Sequence, residues 1–118
     1  MKDKDPVILK KIQRYCTEIQ ETLDMFETDY ERFQTVSTFR NACCMCVLQI
    51  GELCKVLSPE LCEENSEIPW KNWCGIRDVF AHQYTKIDYD SAWETITQDI
   101  PVLRNTVNKL LESIEDTK

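Results

Sequence analysis

Within eight positions of the stretch "GIRDVFAHQY" (residues 75–84) fall Arg77, Asp78, His82 and Tyr84, and these are the kinds of group that phosphodiester chemistry uses. An arginine binds a phosphodiester and stabilises the charge that develops on it during displacement. A histidine, titrating near neutral pH, can take a proton from a ribose 2′-hydroxyl or return one to the leaving oxygen. Asp78, one helical turn before His82, is placed to accept a hydrogen bond from the imidazole and fix its tautomer. With one histidine in the chain and no metal-ligand pattern around it, the chemistry these groups suit is metal-independent cleavage of RNA. The same spacing is met by a surface arginine, a buried histidine bonded to backbone and a tyrosine in the core. Spacing alone favours that plainer reading.

A helix has to present these side chains. The segment "WKNWCGIRDVFA" (70–81) reads as one, with Pro69 at its start. Continued to Tyr84, it puts Arg77 and Tyr84 seven residues apart on one face, with Trp70, Cys74 and Ala81 along the same stripe. His82 lies about 140° around the helix from Arg77, so the two do not meet on one straight helix. Either the helix loosens near His82, or the same segment of a second subunit supplies the missing half.

The rest of the chain is also read as helix. No stretch alternates with the period of a strand, and apolar residues recur by threes and fours. Ile8, Ile12, Tyr15, Ile19, Leu23 and Phe26 define a first amphipathic helix after Pro6. A second runs from Tyr30 to Leu57, with Val36, Cys43, Val47, Ile50, Cys54 and Leu57 as its stripe and Arg40 interrupting it. "ACCMCVLQI" is apolar on nearly every side, which predicts that this is the central helix. "SPE" caps a short turn. Asp88 or Asp90 caps a further helix carrying Trp93 and Ile96. Pro101 kinks or restarts it, and Leu103, Val107, Leu110 and Ile114 form the last stripe. Short connections between such helices predict an all-α antiparallel bundle of four to five helices. Both glycines, Gly51 and Gly75, fall inside expected helices at a cost of about 1 kcal/mol each against alanine. A close helix crossing accounts for both, and Gly75 also fits as room beside Arg77.

Composition bounds the function. The chain has 118 residues, 42% apolar and 30% charged, which suits one globular domain over residues 1–118. No apolar run is long enough for a bilayer, and "MKDKDPVILKK" lacks the apolar core of a signal peptide, so no membrane partner and a cytoplasmic location are expected. Seven cysteines, an odd number, argue against a disulfide framework. "CCMC" (43–46) lacks the second ligand pair that zinc requires and sits in a helical apolar stripe, so neither metal nor cofactor is expected. A net charge of −7 is a poor footprint for sequence-nonspecific nucleic-acid binding, though it leaves room for a small basic site.

With its flanks, the motif becomes specific. "RDVFAHQY" fits R-x4-H-x-Y, preceded by "IPWKNWCGIRD" and followed by "IDYDSAWETITQDIPVL", with "QIGE" (49–52) on the second helix. Over essentially its whole length the chain resembles HEPN-domain proteins of the HepT type, the helical partners of minimal nucleotidyltransferases in prokaryotic toxin–antitoxin pairs. The resemblance implies a HEPN-like bundle and an endoribonuclease toxin acting on RNA. Arg77 and His82 would be the catalytic pair at the cleft of a homodimer, with Asp78 orienting. Tyr84 would be the hydroxyl to which the nucleotidyltransferase attaches AMP, adding bulk and negative charge where an RNA phosphate must sit. For Arg40 and Glu52, ion pairing inside the bundle is the expected role. The acidity of the chain, with only Lys71, Arg77, Lys86 and Arg40 available near such a cleft, favours a second reading. That reading is a non-catalytic, substrate-binding or scaffold subunit of a nucleotidyltransferase.

Overall fold

The computed structural model describes residues 2–77, 80 and 88–116. The described residues are helical with no strand, in an all-α antiparallel bundle. In chain order the helices are α1 (Asp5–Met25), α2 (Tyr30–Thr35), α3 (Ser37–Lys55), α4 (Pro59–Glu64), α5 (Trp70–Cys74), α6 (Tyr89–Glu94) and α7 (Ile100–Asp116). A single π-helical turn, Thr95–Asp99, joins α6 to α7. Three long segments, α1, α3 and the α6–α7 rod, make the body, and the short helices close its ends. Among the described residues no helix is long and apolar enough to cross a membrane.

α1 forms because its apolar residues lie on one stripe. Ile8, Leu9, Ile12, Cys16, Ile19 and Leu23 are buried between α3 and α7, each large side chain contributing roughly 1.5–3 kcal/mol of transfer free energy. α1 runs antiparallel to both neighbours. Its first turn meets the end of α3 through Asp5, whose carboxylate accepts from Ser58 N–H at 3.0 Å and Ser58 Oγ at 2.6 Å. Further along, Gln13 Nε2 donates to Asn108 of α7 at 2.6 Å.

The expected second helix is two helices. The run "TVST" (35–38) is β-branched or hydroxylated and propagates a helix poorly, and Val36 is extended at φ −100°, ψ 99°. The break leaves carbonyls at the end of α2 without helical partners. Arg40 takes them, donating from Nη1 to Phe33 O at 3.1 Å and Gln34 O at 3.0 Å, with its guanidinium 4.8 Å from the Tyr89 ring centroid. Arg40 is therefore a cap and a ring contact, and among the described residues it pairs with no carboxylate. α3 is central as expected, packing on α1, α2 and α5, although Met45 on its outer face is exposed.

At the α2 end, Phe26, Tyr30, Phe33, Phe39, Tyr89 and Trp93 form one aromatic cluster. Phe26 stacks on Phe39 at 4.4 Å, and Phe33 meets Phe39 edge-on at 5.5 Å. Tyr30 donates its hydroxyl to Asp90, and Asp88 caps α6 by accepting from Ser91 N–H at 3.1 Å. Pro101 acts upstream of itself. It has no N–H for the Thr97 carbonyl and its ring crowds that group, so the preceding turn widens and Ile100 N–H reaches back five residues to Thr95 O. The final stripe is Leu103, Val107 and Leu111, with Leu110 and Ile114 half-buried at its edge.

Candidate functional site

Arg77 is positioned by a close crossing between α3 and the segment that begins with α5. Ile68, Trp70 and Trp73 are buried, and Trp70 Nε1 donates to Asn65 O at 2.9 Å, which anchors α5 at its start. Gly51 lets α5 approach. A Cβ on it would lie 2.5 Å from Ile76 Cγ2 and 2.7 Å from the Trp73 carbonyl oxygen, both tighter than a side chain tolerates. The crossing reading therefore holds for Gly51. At Gly75 no crossing is seen among the described residues, where the atom nearest a Cβ is its own segment's Lys71 carbonyl oxygen at 3.5 Å.

Gly75 ends α5 at φ −89°, ψ 0°, its N–H returning to Lys71 O, and helical backbone resumes at Ile76 and Arg77. The expected continuous helix over 70–81 is thus broken at Gly75, and the single stripe from Trp70 through Cys74 to Arg77 is corrected with it. Trp70 is buried, Cys74 half-buried and the Arg77 side chain 68% exposed.

The close crossing sets Arg77 beside Glu52, the residue after Gly51. Arg77 Nη1 lies 3.6 Å from Glu52 Oε1, and Lys55 Nζ reaches the same oxygen at 3.1 Å. The Lys55 hydrogen bond and then the two positive charges hold the Glu52 carboxyl below its usual range, despite some desolvation. The ion pairing expected of Glu52 is present, but at the surface rather than inside the bundle. Arg77 Nη1 faces Glu52, and the largely exposed guanidinium carries the planar set of N–H donors that a phosphodiester accepts in a two-point contact. "QIGE" now has a physical meaning: Ile50 fills the core, Gly51 admits the crossing and Glu52 orients the arginine. Lys55 was missed in the sequence; its only signal there is a Glu-x-x-Lys pair at a helix end.

Asp78, His82, Tyr84 and Lys86 lie outside the described residues, as does Ala81. Phe80, between Arg77 and His82 in sequence, is buried. On the other side of α5 a shallow cleft of about 210 Å³ is lined by Asn72, Trp73, Ile76, Thr95, Asp99 and Val102 among others. Burial, and then Glu94, push the Asp99 carboxyl up. The described residues that line this cleft offer an anion no positive charge, and Asp99 would repel it.

All seven cysteines are free. Burial pushes the Cys16, Cys43 and Cys46 thiols up to about 12, and the Cys54 thiol up as well, so these are packing groups rather than nucleophiles. Among the described residues no group of three or more histidine, cysteine or acidic side chains is arranged to hold a metal.

Comparison with known proteins places the chain in a family. The chain is 34% identical over 90 residues to "Putative RNase MJ0125" of Methanocaldococcus jannaschii, covering 76% of this chain and 78% of that protein. It is 33% identical over 87 residues to "Putative RNase MJ1216" of the same organism, covering 74% and 72%. To "Probable ribonuclease HepT" of Thermococcus cleftensis it is 34% identical over 61 residues, covering 52% and 56%. No solved structure matches the chain. The family model described as "Ribonuclease HepT-like" matches residues 12–110, a span that takes in the α3–α5 crossing, Arg77 and the R-x4-H-x-Y segment, and the chain belongs to that HepT-like family.

Proposed function

We propose that the chain is a metal-independent endoribonuclease toxin, that residues 1–118 act as one HepT-like domain in the cytoplasm, and that Arg77 and His82 carry the reaction. Arg77 binds the scissile phosphodiester and stabilises its developing charge. His82 moves the proton between the ribose 2′-hydroxyl and the leaving 5′-oxygen, leaving a 2′,3′-cyclic phosphate. Asp78 orients the imidazole. A homodimer brings Arg77 of one subunit towards His82 of the other. Control comes from a partner nucleotidyltransferase that transfers AMP to the Tyr84 hydroxyl, and the attached phosphate then occupies the position meant for substrate.

The observation that carries this reading is the Arg77 guanidinium, largely exposed and held along one edge by Glu52, in a chain of the HepT-like family. A guanidinium this exposed is open to an anion from solvent, which a buried structural arginine is not.

The test is cleavage of RNA by purified, unmodified protein in EDTA, with the product ends identified. His82→Ala should lose on the order of 10²–10⁴-fold in rate, as expected for removal of a general acid–base group. Tyr84→Phe should cleave normally and escape AMP transfer by the partner. If His82→Ala cleaves as well as the parent, the histidine is structural; if the parent itself leaves RNA intact, the non-catalytic subunit reading, which the net charge of −7 favours, replaces this one.

A further inference from the structure

An RNA substrate has to be held by a chain of net charge −7, but the acidic excess is unevenly spread. Residues 2–14 carry five basic side chains, Lys2, Lys4, Lys10, Lys11 and Arg14, against two acidic ones, whereas the whole chain has 14 against 21. Of the two acids Asp5 is buried and bonded to Ser58, which leaves Asp3 as the exposed one. All five bases are exposed. Lys4, Lys11 and Arg14 follow helical spacing on the outer face of α1, with Lys10 beside them, over a length of about 15 Å. Among the described residues Lys4, Lys10 and Lys11 pair with no carboxylate, and Arg14 meets Glu18 only at 3.9 Å.

This strip starts at the pole that holds Arg77. The Asp5–Ser58 bonds fix the first turn of α1 against the end of α3, one turn beyond Lys55, and Lys55 shares Glu52 with Arg77.

We propose that the basic face of α1 is an RNA-docking surface, taking the sugar–phosphate backbone that flanks the site at Arg77. It rests on the ribonuclease reading of Arg77. Ammonium groups without carboxylate partners are free to exchange counterions for phosphates, giving sequence-independent, salt-sensitive binding. On a body that repels RNA overall, such a strip sets the direction of approach.

The experiment measures binding of a fluorescent 2′-O-methyl RNA oligonucleotide, which has no nucleophilic hydroxyl and stays intact, between about 50 and 200 mM salt. Lys11→Glu should weaken binding several-fold. The Lys4→Glu/Lys10→Glu/Lys11→Glu variant should weaken it more than about tenfold and lower the salt slope by about 2, with the circular dichroism spectrum unchanged. Lys109→Glu makes the same charge change as Lys11→Glu on α7, and should alter binding less than twofold. Equal weakening by Lys109→Glu and Lys11→Glu would overturn the proposal, as would parent-like RNA binding by the triple variant. Loss of a polyglutamate probe with RNA binding retained would also overturn it, assigning the face to an acidic protein. Cleavage of ordinary RNA is read separately. RNA held through α1 but never cut supports this surface and defeats the ribonuclease reading, whereas parent-like KM in the triple variant defeats this surface alone.

Discussion

At the end of the bundle where α1 gives way to α2, six aromatic rings close over one another, while at the end where α3 gives way to α4 the prominent side chains are charged and half in water. Phe33 and Phe39 are fully buried in the first region, within 5.5 Å of each other, and the polar groups there serve the helices: Arg40 caps α2 and Asp88 caps α6. In the second region Arg77, Glu52 and Lys55 share one carboxylate oxygen, and the Arg77 and Glu52 side chains are 68% and 41% exposed. Surface ion pairs of this kind contribute little to stability. One pole holds the fold together, and the other keeps a largely exposed arginine in place. That exposure leaves the guanidinium open to an anion from solvent.

The comparison breaks most readily at the aromatic pole. Phe39→Ala should cost about 3–5 kcal/mol, since it removes a ring in contact with Phe26, Phe33 and Trp93. Thermal or denaturant unfolding checks this, and any RNA cleavage per folded molecule should persist. If Phe39→Ala instead spares stability and abolishes cleavage, the two poles have been assigned the wrong way round.

Gly51→Ala probes the link between core and site. Alanine is the better helix former by about 1 kcal/mol, but its Cβ would collide with Ile76 and the Trp73 carbonyl, whose backbone cannot swing away cheaply. A net loss of roughly 1–3 kcal/mol is expected, together with reduced RNA cleavage as Arg77 shifts from Glu52. Wild-type stability and activity in this variant would show that the crossing does not position the arginine.

Asp5→Asn sharpens the account of how the charged pole is fastened. Burial works against the Asp5 carboxylate, yet hydrogen bonds from Ser58 and Lys2 and the nearby Lys4 charge hold its carboxyl below the usual value. A group lowered in the folded state stabilises fully above its unfolded pKa of about 4, and that contribution is lost as pH falls through the lower folded value. The substitution should cost about 1–2 kcal/mol near neutral pH and flatten the acid limb of the stability profile. An acid limb identical to the parent's would assign the lock to other contacts.

Much of the fold was legible in the sequence because long apolar stripes dominate it. The α1 stripe, the central place of α3, the Asp88 cap and the disturbance at Pro101 all follow from periodicity and turn chemistry. What was not legible depended on partners remote in sequence. The break at Val36 is stabilised by Arg40 and by ring contacts with α6, and the break at Gly75 follows a short helix pinned by buried indoles. Neither leaves a mark on local apolar spacing. At the candidate site, Arg77 could be singled out by type and motif, but its neighbours Glu52 and Lys55 come from a different helix, and only the Gly51 crossing brings them together.

The central claim is that Arg77 is present for chemistry and contributes little to the fold, and one substitution addresses both halves. Arg77→Ala should melt with the parent, as exposed surface substitutions do, while cleavage of RNA in EDTA falls by about 10²–10³-fold, the scale for losing one preorganised charge-stabilising group. Parent-like cleavage by a folded Arg77→Ala protein, or a large loss of stability without a change in cleavage per folded molecule, would contradict the account.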